Sequence, residues 1–83
     1  MHIELQFFET PSHGYLKVGK SLVKELKYRP TKFSFASTKF WFLEEDVDAP
    51  SMMRLLKDAG YIVALRTITE YHPEYATIAK VVE

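Results

Sequence analysis

Eighty-three residues, no cysteine and a formal net charge of zero bound what this chain can be. One domain fits, spanning residues 1–83, and a second core does not; disulfides, thiolate nucleophiles and Cys-based zinc sites are excluded together. Its hydrophobic fraction of 47% and aromatic fraction of 14% supply the apolar area that so short a chain needs, because it buries only about 60–65% of its unfolded surface.

The first segment, His2 to Phe8, alternates Ile3, Leu5 and Phe7 with His2, Glu4 and Gln6, the pattern of a strand with one buried face. It has no basic leader followed by an apolar stretch, and no apolar run in the chain is long enough to span a bilayer. A cytoplasmic location with no membrane partner is therefore expected, and the lack of Cys fits a reducing compartment. "ETPSHG" is turn chemistry, and "YLKV" predicts a short second strand. "GKSLVKELKY" sets Leu22, Val23 and Leu26 at helical spacing, with Lys20, Lys24 and Lys27 on the other arc. Ser21 or Gly19 is available as its cap, and Pro30 follows too closely for the helix to continue.

"KFSFAST" and "KFWFLEE" predict a hairpin turning near residues 37–39. In its second strand Phe40 and Phe42 lie on one face and Trp41 and Leu43 on the other, as in a strand covered on both sides. Asp48-Ala49-Pro50-Ser51 opens a helix with Asp48 as N-cap; Met52, Met53, Leu55, Leu56 and Ala59 follow, with Gly60 at the C′ position. "YIVALRTIT" is a strand, and residues 72–83 suit helix and strand equally. The order β-β-α-β-β-α-β-tail predicts an α+β fold: a two-layer sandwich with an antiparallel-rich sheet of about five strands and two helices on one face.

Two segments, His13-Gly14-Tyr15-Leu16 and Phe42-Leu43-Glu44-Glu45-Asp46-Val47-Asp48-Ala49, together resemble small uncharacterised proteins of bacteriophages, plasmids and integrated elements. Those carry an early "His-Gly-Tyr-Leu" and a mid-chain "Tyr-Leu-Glu-Glu-Asp-Cys-Asp" that opens a helix. Phe42 stands where that pattern has Tyr and Val47 where it has Cys, so chemistry through that hydroxyl or thiol does not carry over. The shared order spans roughly residues 10–60. The resemblance implies a mobile-element origin and brings no activity with it.

Three groups of residues are candidates for function. The acids Glu44, Glu45, Asp46 and Asp48 do not make a calcium loop. Counted from Glu44, the glycine and closing-carboxylate positions fall on Ala49 and Leu55; counted from Asp46, the ninth and twelfth positions are Arg54 and Lys57. Helix capping by Asp48, with Glu45 and Asp46 in the positive end of the helix dipole, explains them more simply. A partner-facing acidic patch is the next explanation. The aromatic residues form the second group: more rings project from a small sheet than two helices can cover, leaving Phe8, Phe35 and Trp41 as outward-facing candidates for an interface.

The third group is basic. Residues 1–39 hold seven Lys/Arg against three acids, and residues 40–83 hold four against eight. Lys17, Lys20, Lys24, Lys27, Arg29 and Lys32, interleaved with Tyr28, Phe33 and Phe35, have the composition of a single-stranded nucleic-acid surface or of an ordinary solvated helix face.

No phosphate loop, nucleophile elbow or metal signature is present, so no catalytic residue, metal or cofactor is expected. The leading expectation is a non-enzymatic accessory protein that binds a host or phage protein, as an inhibitor for example, through Phe8, Phe35, Trp41, Glu44, Glu45 and Asp46. The opposite charges of the two halves also suit a homodimer. Nucleic-acid binding through the basic segment is the alternative. A small hydrolase or metal-dependent enzyme using His13 with Glu44 or Asp46 comes third.

Overall fold

A computed structural model describes residues 1–11 and 13–69. Seven elements follow one another: β1 (His2–Glu9), β2 (Gly14–Gly19), α1 (Lys20–Glu25), β3 (Phe35–Ala36), β4 (Phe40–Glu44), α2 (Asp48–Asp58) and β5 (Ile62–Ile68). The strands form one sheet in the order β3-β4-β2-β1-β5. Three neighbouring pairs are antiparallel, and β1 with β5 is parallel. Each helix connects two strands that point the same way with others between them, a connection that needs a crossover rather than a hairpin. The architecture is the α+β sandwich expected, with one parallel pair. No helix among the described residues is long and apolar enough to cross a membrane. The undecided tail lies outside the described residues.

Alternation decides which face each side chain occupies. Leu16 and Val18 of β2 and Leu43 of β4 point toward the helices, where they bury with Val23 of α1 and Ala49, Met52 and Leu56 of α2. Ile3, Leu5, Phe7 and Trp41 pack against this cluster from the same face. Each fully buried aliphatic side chain here contributes about 1.5–3 kcal/mol. On the opposite, outer face Phe8, Tyr15, Phe42 and Ile68 form a second buried cluster.

Two aromatic placements differ from expectation. Phe8 is 0% exposed, because the register sets it directly beside Tyr15 and Ile68, and its ring meets Phe42 edge-on at 6.1 Å. Trp41 belongs to the helix side, half-buried against the core, because it lies opposite Val18 in the ladder. Phe35 is exposed on the edge strand, as expected. Part of the excess ring surface is thus absorbed by cross-strand packing of Phe8, Tyr15 and Phe42 on the outer face, while Phe33, Phe35 and Phe40 remain exposed.

Both helices end in the same way. In α2, Tyr61 N–H reaches Leu56 O at 2.9 Å and Gly60 N–H reaches Lys57 O at 3.0 Å, with Gly60 at φ 90. This is a Schellman termination with glycine in the left-handed position. In α1, Tyr28 N–H bonds Val23 O at 3.1 Å and Lys27 N–H bonds Lys24 O at 3.0 Å. Here the left-handed position is held by Lys27, at φ 56, which strains a residue with a Cβ. Replacing Lys27 by Gly should therefore raise stability by about 0.5–1 kcal/mol, and Gly60→Ala should lower it by about 1–2 kcal/mol. Thermal melts should show opposite shifts of several degrees; a destabilised Lys27→Gly variant would contradict the strain at that position.

Candidate functional site

The acidic run divides its work differently from a simple helix cap. Asp48 is 0% exposed and makes no capping bond to the helix it opens. Its carboxylate turns instead to the segment between α1 and β3. Tyr28 donates its hydroxyl to Oδ1 at 2.6 Å. Thr31 donates its amide, at 3.0 Å to Oδ2, and its Oγ1 hydroxyl at 2.8 Å. Ser34 Oγ donates to Oδ2 as well and accepts the Glu44 amide at 3.0 Å. Burial opposes the charge of Asp48, but the bonds from Ser34, Tyr28 and Thr31 outweigh it and hold the carboxyl below its ordinary value.

Residues 32–34 were expected to begin the first strand of the hairpin, directly after Thr31. They turn instead, because the side chain and amide of Thr31 and the side chain of Ser34 are drawn to Asp48, and only Phe35–Ala36 remains as strand. The capping role passes to Glu44, whose Oε2 accepts the amides of Asp46 at 2.8 Å and Val47 at 3.1 Å.

The segment fixed by Asp48 separates two clefts on opposite faces of the β3–β4 end. The outer cleft, about 450 Å³, is where the two motif segments meet. Tyr15 pairs with Glu44 in the ladder, and the Glu45 amide donates to Gly14 O at 3.0 Å. Gly14 is required at this junction. A Cβ there would stand 2.5 Å from the Phe7 ring and 2.8 Å from a Glu45 carboxylate oxygen. His13, Tyr15, Lys32, Phe33, Phe35, Glu44 and Asp46 line the cleft.

Tyr15 and Phe35 meet edge-on at 5.7 Å. Phe33, at 55% exposure, and Phe35, at 38%, present ring surface to solvent, and Lys32 Nζ sits 5.6 Å from the centre of the Phe33 ring. Burial, then the charges of Glu44 and Glu45, raise the Tyr15 phenol above its ordinary value; Glu44 and Asp46 line the cleft together with Lys32.

Glu44, Glu45 and Asp46 bring carboxylate oxygens within 4.8 Å of one another. Glu44 Oε2 already accepts two amides, which commits that oxygen to the local turn. His13 shares the cleft with Glu44 and Asp46, the grouping a hydrolase would need. Among the described residues the lining offers no Ser, Thr or Cys, and a phenol with a raised pKa is a poor nucleophile. The backbone of His13 closes the β1–β2 hairpin: Thr10 N–H donates to His13 O at 2.8 Å and His13 N–H donates to Thr10 Oγ1 at 2.9 Å.

The helix-side cleft, about 420 Å³, is lined by Lys20, Lys24, Lys27, Arg29, Tyr28 and Trp41 among others, with no carboxylate among the described residues. The basic candidates are thereby split. Lys20, Lys24, Lys27 and Arg29 come together, while Lys17, beside the Phe40 ring at 4.1 Å, and Lys32 lie on the outer side. Sequence reasoning did not bring out Trp41 as a companion of the lysines, or Tyr28, Thr31 and Ser34 as ligands of Asp48. Pairings across such sequence separations leave no periodic signal; hydroxyls beside Pro30 were the only local hint of a turn.

No protein-family model, curated protein or solved structure matches this chain.

Replacing Asp48 by Asn removes the charge and turns an amide donor toward groups that donate, which should cost about 2–3 kcal/mol in urea unfolding. A folded-state pKa below the ordinary 3.8 means that the contribution of Asp48 is complete above that value and lost as pH falls through the folded pKa. Wild-type stability should decline across that acid range, and the Asp48→Asn variant should decline less steeply. Parallel pH profiles for the two proteins would show that the carboxylate's charge contributes nothing.

Proposed function

We propose that this chain is a non-enzymatic accessory protein of a phage or other mobile element, active in the host cytoplasm, that binds a host or phage protein and inhibits it. The outer cleft is the docking site, and the partner offers an exposed segment bearing an arginine or lysine among apolar residues. One observation carries this reading: Phe35, Glu44 and Asp46 meet the His13–Tyr15 segment, far from them in sequence, in a single cleft, with Glu45 beside them. These are also the two segments that resemble mobile-element proteins.

The chemistry of the lining favours a cationic side chain. Ring faces attract a guanidinium or ammonium within about 6 Å, and the carboxylates complement its charge. Lys32 over Phe33 is an intramolecular instance of the same contact. Phe33 and Phe35 supply apolar surface for the neighbouring residues of the partner, and charged groups around a small aromatic centre are the usual arrangement of a specific interface. Phe8 supports the site from beneath, within the buried cluster that includes Tyr15. Trp41 lies on the other face and takes no part.

An NMR titration with two short peptides, identical except for Arg or Glu at the centre of an apolar sequence, tests this reading. The Arg peptide should shift the amide signals of Tyr15, Phe35 and Asp46, and the Glu peptide should not. Asp46→Lys and Phe35→Ala should each weaken binding about tenfold or more, roughly 1.4 kcal/mol. Equal binding of the two peptides, or no shifts in the cleft with either, would remove the reading.

A further inference from the structure

We infer that the helix-side cleft is a second, independent binding site, for single-stranded nucleic acid, in which Trp41 stacks on a base and Lys20, Lys24, Lys27 and Arg29 hold the phosphates that flank it.

The arrangement of charge comes first. Lys20 and Lys24, four residues apart, share one face of α1, and Lys27 follows just past its end in the left-handed position. The Lys20 amide donates to Lys39 O at 2.9 Å, tying the start of the helix to the β3–β4 hairpin that carries Trp41. Arg29 arrives from the following segment. It is bracketed by Tyr28 and Thr31, both bonded to Asp48, so its backbone is fixed before any ligand binds. Four cations thus line one cleft that contains no acid among the described residues of its lining. Like charges gathered on one surface repel one another, and an anion with several phosphates relieves that repulsion.

The floor of the cleft selects among anions. Trp41 is the only tryptophan of the chain, and it both packs on the core and lines the cleft. Tyr28 lines it too, with its hydroxyl held by Asp48 at 2.6 Å. A protein that bound phosphate alone would have no use for two rings between its lysines. Rings interleaved with cations match alternating bases and phosphates. The size also fits, since about 420 Å³ lies in the range of small-ligand sites.

Duplexes are disfavoured on two grounds. A paired base offers no free face to Trp41, and α1, with six residues, is roughly 9 Å long, too short to lie along a major groove and read it.

Trp41 fluorescence is a built-in reporter. Oligonucleotides of about fifteen nucleotides, deoxyuridine and uridine, should quench it at low salt, and the tighter of the two identifies the preferred sugar. Affinity should fall with salt along a slope approaching about −3 on a log–log plot, for four phosphate contacts at about −0.7 each. The double variant Lys20→Gln/Lys24→Gln, confirmed as folded by circular dichroism, should bind at least about tenfold more weakly. Phe35→Ala should bind like wild type, which separates this site from the outer cleft. Unchanged fluorescence with both oligonucleotides at low salt would overturn the inference. Equal affinity for inorganic polyphosphate, which has the charge without the rings, or for a duplex of the same length, would do so too.

Discussion

Everything distinctive about this small fold hangs on a single sealed carboxylate. Asp48 lies at the start of α2 and receives donors from Tyr28, Thr31 and Ser34, and Ser34 in turn receives the Glu44 amide. An ion in that position would be intolerable without partners; with them it acts as a rivet through the segment between α1 and β3. Leu26 and Tyr28 anchor the start of the segment on the core. Its course over the sheet is set by polar contacts to one side chain, contributed by an element that lies later in the chain.

Two surfaces follow from that rivet. On one side of it Tyr28 and Arg29 complete a basic cleft around Trp41; on the other Lys32 and Phe33 complete an acidic one around Tyr15 and Phe35. The even overall charge conceals this separation. Strand alternation produces it: Phe35 and Phe42 face outward while Trp41, between Phe40 and Phe42 in β4, faces the helices. Neighbouring rings in sequence therefore serve opposite faces, and the acids that terminate β4 fall on the outer side with Tyr15. Fixed surfaces of opposite sign suit ligands of opposite sign, and preorganising each surface lowers the ordering cost of binding.

Local chemistry made much of the architecture legible. The alternation of Ile3, Leu5 and Phe7, the helical spacing of Leu22, Val23 and Leu26, the glycine after α2 and the hairpin turn near residues 37–39 each depend on near neighbours, and each recurs in the fold. Glu44 and Asp48 show where such reasoning stops. Asp48 has the sequence position of a cap, yet Glu44 accepts the amides ahead of the helix, because Asp48 is occupied by hydroxyls from a segment fourteen to twenty residues earlier. Phe8 and Trp41 were misplaced for a related reason. Their exposure depends on which strands adjoin, and on Phe8 meeting Tyr15, Ile68 and Phe42 at once.

By itself the sequence determined an α+β fold, its described strands and helices to within a few residues, the candidate acids, rings and lysines, and the absence of cysteine, since these follow from composition and short-range periodicity. Only the tertiary structure decided that Asp48 holds a loop rather than a helix end, that Phe8 is buried, and that the lysines divide between two faces with Trp41 among four of the cations. Strand register and side-chain hydrogen bonds between distant residues fix those outcomes, and neither is written in any local stretch of chain.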